Sequence, residues 1–151
     1  MAIVIRSAQQ EDQETIVSYI QRAKINPRNL HWQNFLVAED NGKIVGIRQV
    51  KVYKQGTREV ASGFVLPEYR RRGISAQLMN ELLARETGPL YTMVNPKRAS
   101  YYEKFGFQPV VVSQLPADFR REYRIGRIVT TLLSLFRKEK IRIVPLKREP
   151  S

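Results

Sequence analysis

Apolar positions change their period along this chain, and glycine or proline marks most of the changes. AIVIRSA at residues 2–8 reads as a strand, and QEDQETIVSYIQRAK at 10–24 reads as a helix with acidic residues in its first turn. INPRNLHW, with its early proline, predicts a helical turn or loop. NFLVAEDNGKIVGIRQVKVY reads as a hairpin, because two β-rich runs flank Asn41-Gly42, which suits a type I′ turn. QGT turns the chain into REVASGFVL, a further strand that Pro67 stops.

From Ile74 the positions Ile74, Leu78, Leu82 and Leu83 keep helical spacing to about Glu86. Gly88-Pro89 ends that helix, and LYTMV reads as a short buried strand. PKRASYYEKF predicts a helix with proline near its start and Gly106 just past its end, with Tyr101, Phe105 and Phe107 as core aromatics. FQPVVVSQL reads as a strand, residues 117–138 as a long helix, and KIRIVPLK as a closing strand. The order is three meandering strands followed by crossovers through helices, so an α/β (α+β mixed) fold is expected, with a mixed sheet and helices on both faces. No internal repeat, low-complexity tract or linker interrupts the chain, and residues 1–151 are expected to form a single domain with a basic helix-strand part from about 116.

Composition narrows the function. The absence of cysteine excludes disulfides, thiolate metal sites and a Cys nucleophile, and a lone histidine, His31, argues further against zinc. His31 reads as a structural residue. The opening MAIVIRSAQQED has too short an apolar run for a signal peptide, and no stretch has the length of a membrane span, so a cytoplasmic location is expected. The net charge of +12 is the outlier, with ten Lys/Arg against four Asp/Glu between residues 116 and 151. That balance points to polyanions, anionic cofactors or acidic surfaces as partners.

The densest charge falls at YRRRGISAQLM, where a helix is predicted to begin. A helix N-terminus is already positive, so Arg70, Arg71 and Arg72 cost stability there unless an anion normally sits beside them. Free backbone N–H groups, an unhindered Gly73, the small Ser75 and Ala76, and three guanidiniums together make a phosphate cradle. An ordinary helix start beside a solvated arginine cluster is the alternative on this pattern alone.

The stretch resembles the acyl-CoA-binding motif of the GNAT superfamily of N-acyltransferases, Arg/Gln-x-x-Gly-x-Gly/Ala after an apolar-x-Pro element. Arg70-Arg71-Arg72-Gly73-Ile74-Ser75 matches it except at the last position, where serine replaces Gly or Ala. About twenty residues later, Asn95 and Ala99-Ser100-Tyr101-Tyr102-Glu103-Lys104-Phe105-Gly106-Phe107 resemble the family's asparagine and its Ala-x-x-Tyr-Glu-Lys-x-Gly-Phe helix. The resemblance implies a GNAT fold, a predominantly antiparallel twisted sheet of about seven strands whose fourth and fifth strands splay. It implies acetyl-CoA as co-substrate, with no metal. Val65 and Leu66 would pair with the pantetheine arm, and N–H groups from Arg71 through Ala76 would take the diphosphate. Side chains of Arg70, Arg71 and Arg72 would reach phosphates, and Asn95 would bond the arm.

The implied reaction is transfer of an acetyl group from acetyl-CoA to a primary amine. Tyr102 matches the tyrosine that protonates the leaving thiolate, and Glu59 falls where the histone-acetylating branch has its base. Strand alternation would set residues 59, 61, 63 and 65 on one face, although Glu59 could equally be an exposed edge charge. The acceptor, a small molecule or a peptide amine, is not spelled out. Two other function classes remain: a coenzyme A-binding sensor or scaffold without turnover, and a basic nucleic-acid or ribosome-associated protein. The second lacks the interleaved basic and aromatic residues of single-strand binders.

The long basic helix at 117–138 is an addition to a minimal family member. Its stripe of Ile125, Ile128, Val129, Leu132 and Phe136 is expected to pack on the sheet or to cover the acceptor side. A homodimer interface and contact with an anionic membrane surface are alternative readings.

Overall fold

The computed structural model describes residues 2–150. Seven strands and four α-helices follow one another as β1 (Ile3–Ser7), α1 (Gln13–Ala23), β2 (Phe35–Asp40), β3 (Lys43–Val52), β4 (Arg58–Val65), α2 (Ile74–Ala84), β5 (Leu90–Val94), α3 (Ala99–Glu103), β6 (Phe107–Pro109), α4 (Ala117–Ser134) and β7 (Val144–Arg148). The strands join one sheet in the order β1-β2-β3-β4-β5-β7-β6. The recorded ladders are antiparallel except that of β4 with β5, which is parallel and registers at Glu59 opposite Tyr91. This is the mixed, mostly antiparallel sheet that the element order predicts.

By internal contacts the chain divides into two compact units, residues 1–51 with 60–86, and residues 52–59 with 87–151. In the first, β1 pairs with β2 and β2 with β3, the latter through the predicted hairpin. Asn41 (φ 48°) and Gly42 (φ 82°) both take the left-handed conformations that a type I′ turn requires. Its core holds Ile16, Ile20, Phe35, Val37, Ile47, Ile74, Leu78 and Met79, all essentially inaccessible. Gly46 allows α2 to approach the sheet: a Cβ there would lie 3.2 Å from both Ile74 and Leu78.

The second unit pairs β5 with β7 and β7 with β6. Phe107 is buried as expected, but Tyr101 and Phe105 are only half-buried and pack on each other at 5.2 Å. Tyr102 instead turns inward and meets Phe107 edge-on. The strand expected over 107–115 stops at Pro109, and Val112–Gln114 forms a 3-10 turn. Val110 still donates its N–H to Pro145 O at 3.3 Å, but Pro145 has no N–H to return, so the ladder ends there.

The expected packing of the long helix is also corrected. Phe119 and Tyr123 enter a cluster with Tyr91 and Leu115, and Gly126 faces Ile143 and Met93 closely, at 3.1 and 3.4 Å from its hypothetical Cβ. At 3.6 residues per turn these buried positions lie roughly 130° around the helix from the Ile125–Leu132 stripe. Ile128, Val129, Leu132 and Phe136 are therefore exposed rather than packed on the sheet. The aromatic pair and the glycine outweigh the aliphatic stripe because they give bulk and close approach on the same helix face.

A second departure lies inside β4. Ser62 has φ 61°, a left-handed conformation that interrupts the pleat as a bulge does. Strand parity therefore does not carry from residue 59 to residue 65, and Glu59 and Val60 are buried in succession.

Candidate functional site

The junction between β4 and α2 is built by local chemistry. Leu66 is buried and donates its N–H to Val45 O at 2.9 Å, which fixes the end of the strand. Pro67 opens a 3-10 turn through Tyr69. The Tyr69 hydroxyl donates to Asp40 at 2.9 Å, a bond that raises its pKa above the ordinary phenol range. Tyr69 thereby anchors the arginine loop to the hairpin, and the Arg72 guanidinium lies 5.0 Å from its ring centroid. Arg70 folds back, donating from Nε to Val65 O at 3.0 Å and lying over Phe64.

Two successive backbone features open the donors. Arg71 (φ 63°) and Gly73 (φ 77°) are both left-handed, and such strain in a non-glycine residue costs on the order of 1–3 kcal/mol and collects at ligand clamps. A Cβ on Gly73 would meet nothing within 4 Å, so the space beside this N-cap is open. No side chain caps α2. The first N–H groups of the helix thus lack an intrahelical acceptor, and they belong to Ile74, Ser75 and Ala76. Uncapped donors, a positive helix end and exposed Arg70, Arg71 and Arg72 fit a diphosphate.

Of the predicted cofactor residues, the structure brings Val65, Leu66 and Arg70 through Ala76 into this one junction. The Leu66 N–H is engaged by Val45 and the Val65 carbonyl by Arg70. The serine that departs from the motif has its hydroxyl bonded to Arg48 Nη2 at 3.2 Å. Arg48, buried on β3, was not foreseen from the sequence; an arginine within an otherwise buried strand was the available signal. The neighbouring Gln49 was missed too. It donates to Ser62 at 2.7 Å, while its buried Oε1 has no hydrogen-bond partner among the described residues.

The second unit holds the remaining candidates. Glu59 is 4% exposed, so the edge-charge alternative is excluded, and its carboxylate accepts a hydrogen bond from the Tyr53 hydroxyl. Tyr53, which sequence reasoning missed, packs against Phe119 of α4. Tyr102, 9% exposed on α3, is held between Tyr101 and Phe107 in edge-on contacts at 5.4 and 5.8 Å. Asn95 follows β5 and is exposed; its Oδ1 caps a 3-10 turn by accepting from Lys97 N at 3.0 Å. His31, in the first unit, is exposed before the 3-10 turn at Trp32–Asn34.

Comparison with known proteins places these features in a family. The model of the acetyltransferase (GNAT) domain matches residues 31–109, more than half the chain and the whole of the β4–α2 junction. No curated protein matches the chain in sequence. Among solved structures, N-acetylglutamate synthase from Neisseria gonorrhoeae, complexed with coenzyme A and N-acetyl-glutamate, superposes with a TM-score of 0.76 at 18% identity. It covers 100% of this chain, which spans only 36% of the synthase. A Mycobacterium tuberculosis protein in complex with CoA and NLQ gives 0.72 at 20% identity, over 98% of this chain and 99% of that one. The ribosomal-protein-S18-alanine N-acetyltransferase from Escherichia coli gives 0.62 at 17%, over 99% and 95%. These likenesses reproduce the fold, and the family match carries the assignment: the chain belongs to the GNAT acetyltransferase family.

Proposed function

We propose that the protein transfers an acetyl group from acetyl-CoA to a primary amine by direct attack on the thioester. The observation that carries this reading is the uncapped start of α2, with Gly73 left-handed and open beside three exposed arginines. Two solved structures of the same fold that hold coenzyme A support it. Arg71 through Ala76 present N–H groups to the diphosphate, and the arginine side chains neutralise it and the 3′-phosphate. Arg70 releases the Val65 carbonyl when the pantetheine arm pairs there, and Asn95 bonds the arm through its side-chain amide.

In the reaction the amine lone pair attacks the thioester carbonyl carbon, the C–N bond forms and the C–S bond breaks. The amine must lose a proton to attack, and Glu59 accepts it, directly or through water. The Tyr53 hydroxyl orients this buried carboxylate. Tyr102 donates a proton to the departing thiolate. Residues 1–151 then act as one acetyltransferase domain.

The acceptor is a small molecule or peptide bearing a primary amine. An amine on an acidic carrier suits the net charge of +12 better than a polycation does. Thiol release from acetyl-CoA in the presence of an amine panel tests the proposal. Acceptor-dependent release supports it, whereas tight acetyl-CoA binding without turnover would favour the sensor or scaffold reading.

A further inference from the structure

The most conspicuous feature outside the candidate site is an apolar run over the last turns of α4 and the turn just beyond it. Ile128 is 62% exposed, Leu132 56%, Leu135 73% and Phe136 87%, with Val129 and Leu133 also exposed beside them. Scattered exposed aliphatics are ordinary, but six large apolar side chains exposed within nine residues, Ile128 to Phe136, mark an interaction surface. The helix is held from a different side, where Phe119, Tyr123 and Gly126 pack and the Tyr123 hydroxyl donates to Ile143 O at 3.1 Å. The apolar face is thus presented on a helix anchored elsewhere.

Charge selects the occupant. Residues 117–142 carry eight Lys/Arg against three Asp/Glu. Arg121, Arg124 and Arg127 are exposed along the helix, and the four Lys/Arg between 137 and 142 are exposed just beyond it. One of the three acids, Asp118, is already engaged by Gln55 and Thr57. Two copies meeting through this face would bring like charge against like charge. A nucleic acid would satisfy the cations and leave the aliphatic tip in water. An anionic bilayer surface satisfies both: the apolar tip enters the acyl boundary while the cations meet lipid phosphates. No described helix is long and apolar enough to cross a membrane, so the contact is peripheral.

We propose that the C-terminal half of α4 and the basic segment after it dock this protein on an anionic lipid surface. The proposal is independent of the acetyltransferase reading. It would concentrate the protein where amine acceptors dissolved in or tethered to the membrane are found.

The test is sedimentation of the full chain with vesicles of phosphatidylcholine alone, or containing about 30% phosphatidylglycerol, at low and high salt. Binding is expected only to the anionic vesicles and is expected to weaken with salt. The double variant Leu135→Glu/Phe136→Glu should bind at least roughly tenfold more weakly, since each buried side chain is worth about that factor. Both side chains are exposed, so its thermal melt should match the parent. Absence of binding to anionic vesicles, or equal binding by the variant, would overturn the proposal. Self-association abolished by the variant without vesicle binding would assign the face to a second copy. Binding to polyglutamate but not to vesicles would assign it to an acidic protein; either result overturns the lipid reading.

Discussion

The buried Arg48 guanidinium donates to the Ser75 hydroxyl at 3.2 Å, joining the middle of β3 to the first turn of α2. This bond gives the serine at the motif's last position a reason: its hydroxyl is held by the protein beneath the phosphate cradle. Gly63 makes the room. A Cβ there would lie 2.5 Å from Arg48 Nη2, and burial leaves the guanidinium little freedom to move aside. Gly63→Ala should therefore lower stability by about 1–3 kcal/mol, read as a shift in the urea midpoint at unchanged slope. A shift under half a kcal/mol would show that Arg48 relocates easily.

The cradle can be probed without damaging the fold. At Arg71 (φ 63°), glycine relieves about 1–2 kcal/mol of left-handed strain and adds about 1 kcal/mol of backbone entropy. Arg71→Gly should leave the melting temperature nearly unchanged while weakening acetyl-CoA binding several-fold. Unchanged affinity in a calorimetric titration would remove Arg71 from the phosphate contacts.

Glu59 and Tyr102 are assigned to proton transfer, and binding should be indifferent to both. Glu59→Gln and Tyr102→Phe should each lower kcat by about 10²–10⁴ with the coenzyme A Kd within twofold of the parent. The Glu59→Gln deficit should shrink as pH rises toward about 10, where a primary amine deprotonates in solution. A pH-independent deficit would leave Glu59 as a structural carboxylate paired with Tyr53.

Acid sensitivity should come partly from Asp12. Its hydrogen bond with Arg6 at 2.7 Å is the main cause of a lowered pKa, with the Gln9 N–H adding to it against burial. A folded pKa below the unfolded value of about 3.9 gives stability that is full above that pH and lost as pH falls through the folded pKa. Asp12→Asn should cost about 1–3 kcal/mol at pH 7, and the gap to the parent should close below about pH 4 in denaturation series. A constant gap across that range would locate the cost in shape rather than charge.

The helices and strands were readable where period and punctuation agreed. Leu90–Val94 matches its predicted span, Asn41-Gly42 makes its turn, and Gly106 (φ 91°) follows α3 as a C-terminal glycine does. The β4–α2 junction was legible because its chemistry is contiguous in sequence. What escaped depends on contacts between distant residues. The Ile125–Phe136 stripe has the period of a core face, yet the core of α4 is Phe119, Tyr123 and Gly126, chosen by Tyr91, Met93 and Ile143. The Ser62 bulge has no signature in a serine's propensity, and it cancels the parity argument for Glu59. Arg48 and Tyr53 carry no motif; only the fold reveals that one meets Ser75 and the other Glu59.

The central claim is that the α2 start holds the diphosphate of acetyl-CoA, and calorimetric titration of acetyl-CoA into the protein and into Gly73→Asp tests it most directly. The open space beside Gly73 admits the new side chain, at the strain cost of φ 77°, and sets a carboxylate where the diphosphate would lie. The account predicts binding in roughly the micromolar range for the parent, with a Kd that rises for 3′-dephospho-coenzyme A. It predicts no measurable binding by a Gly73→Asp protein that still melts cooperatively. Equal binding by both proteins, or none by the parent, would contradict it.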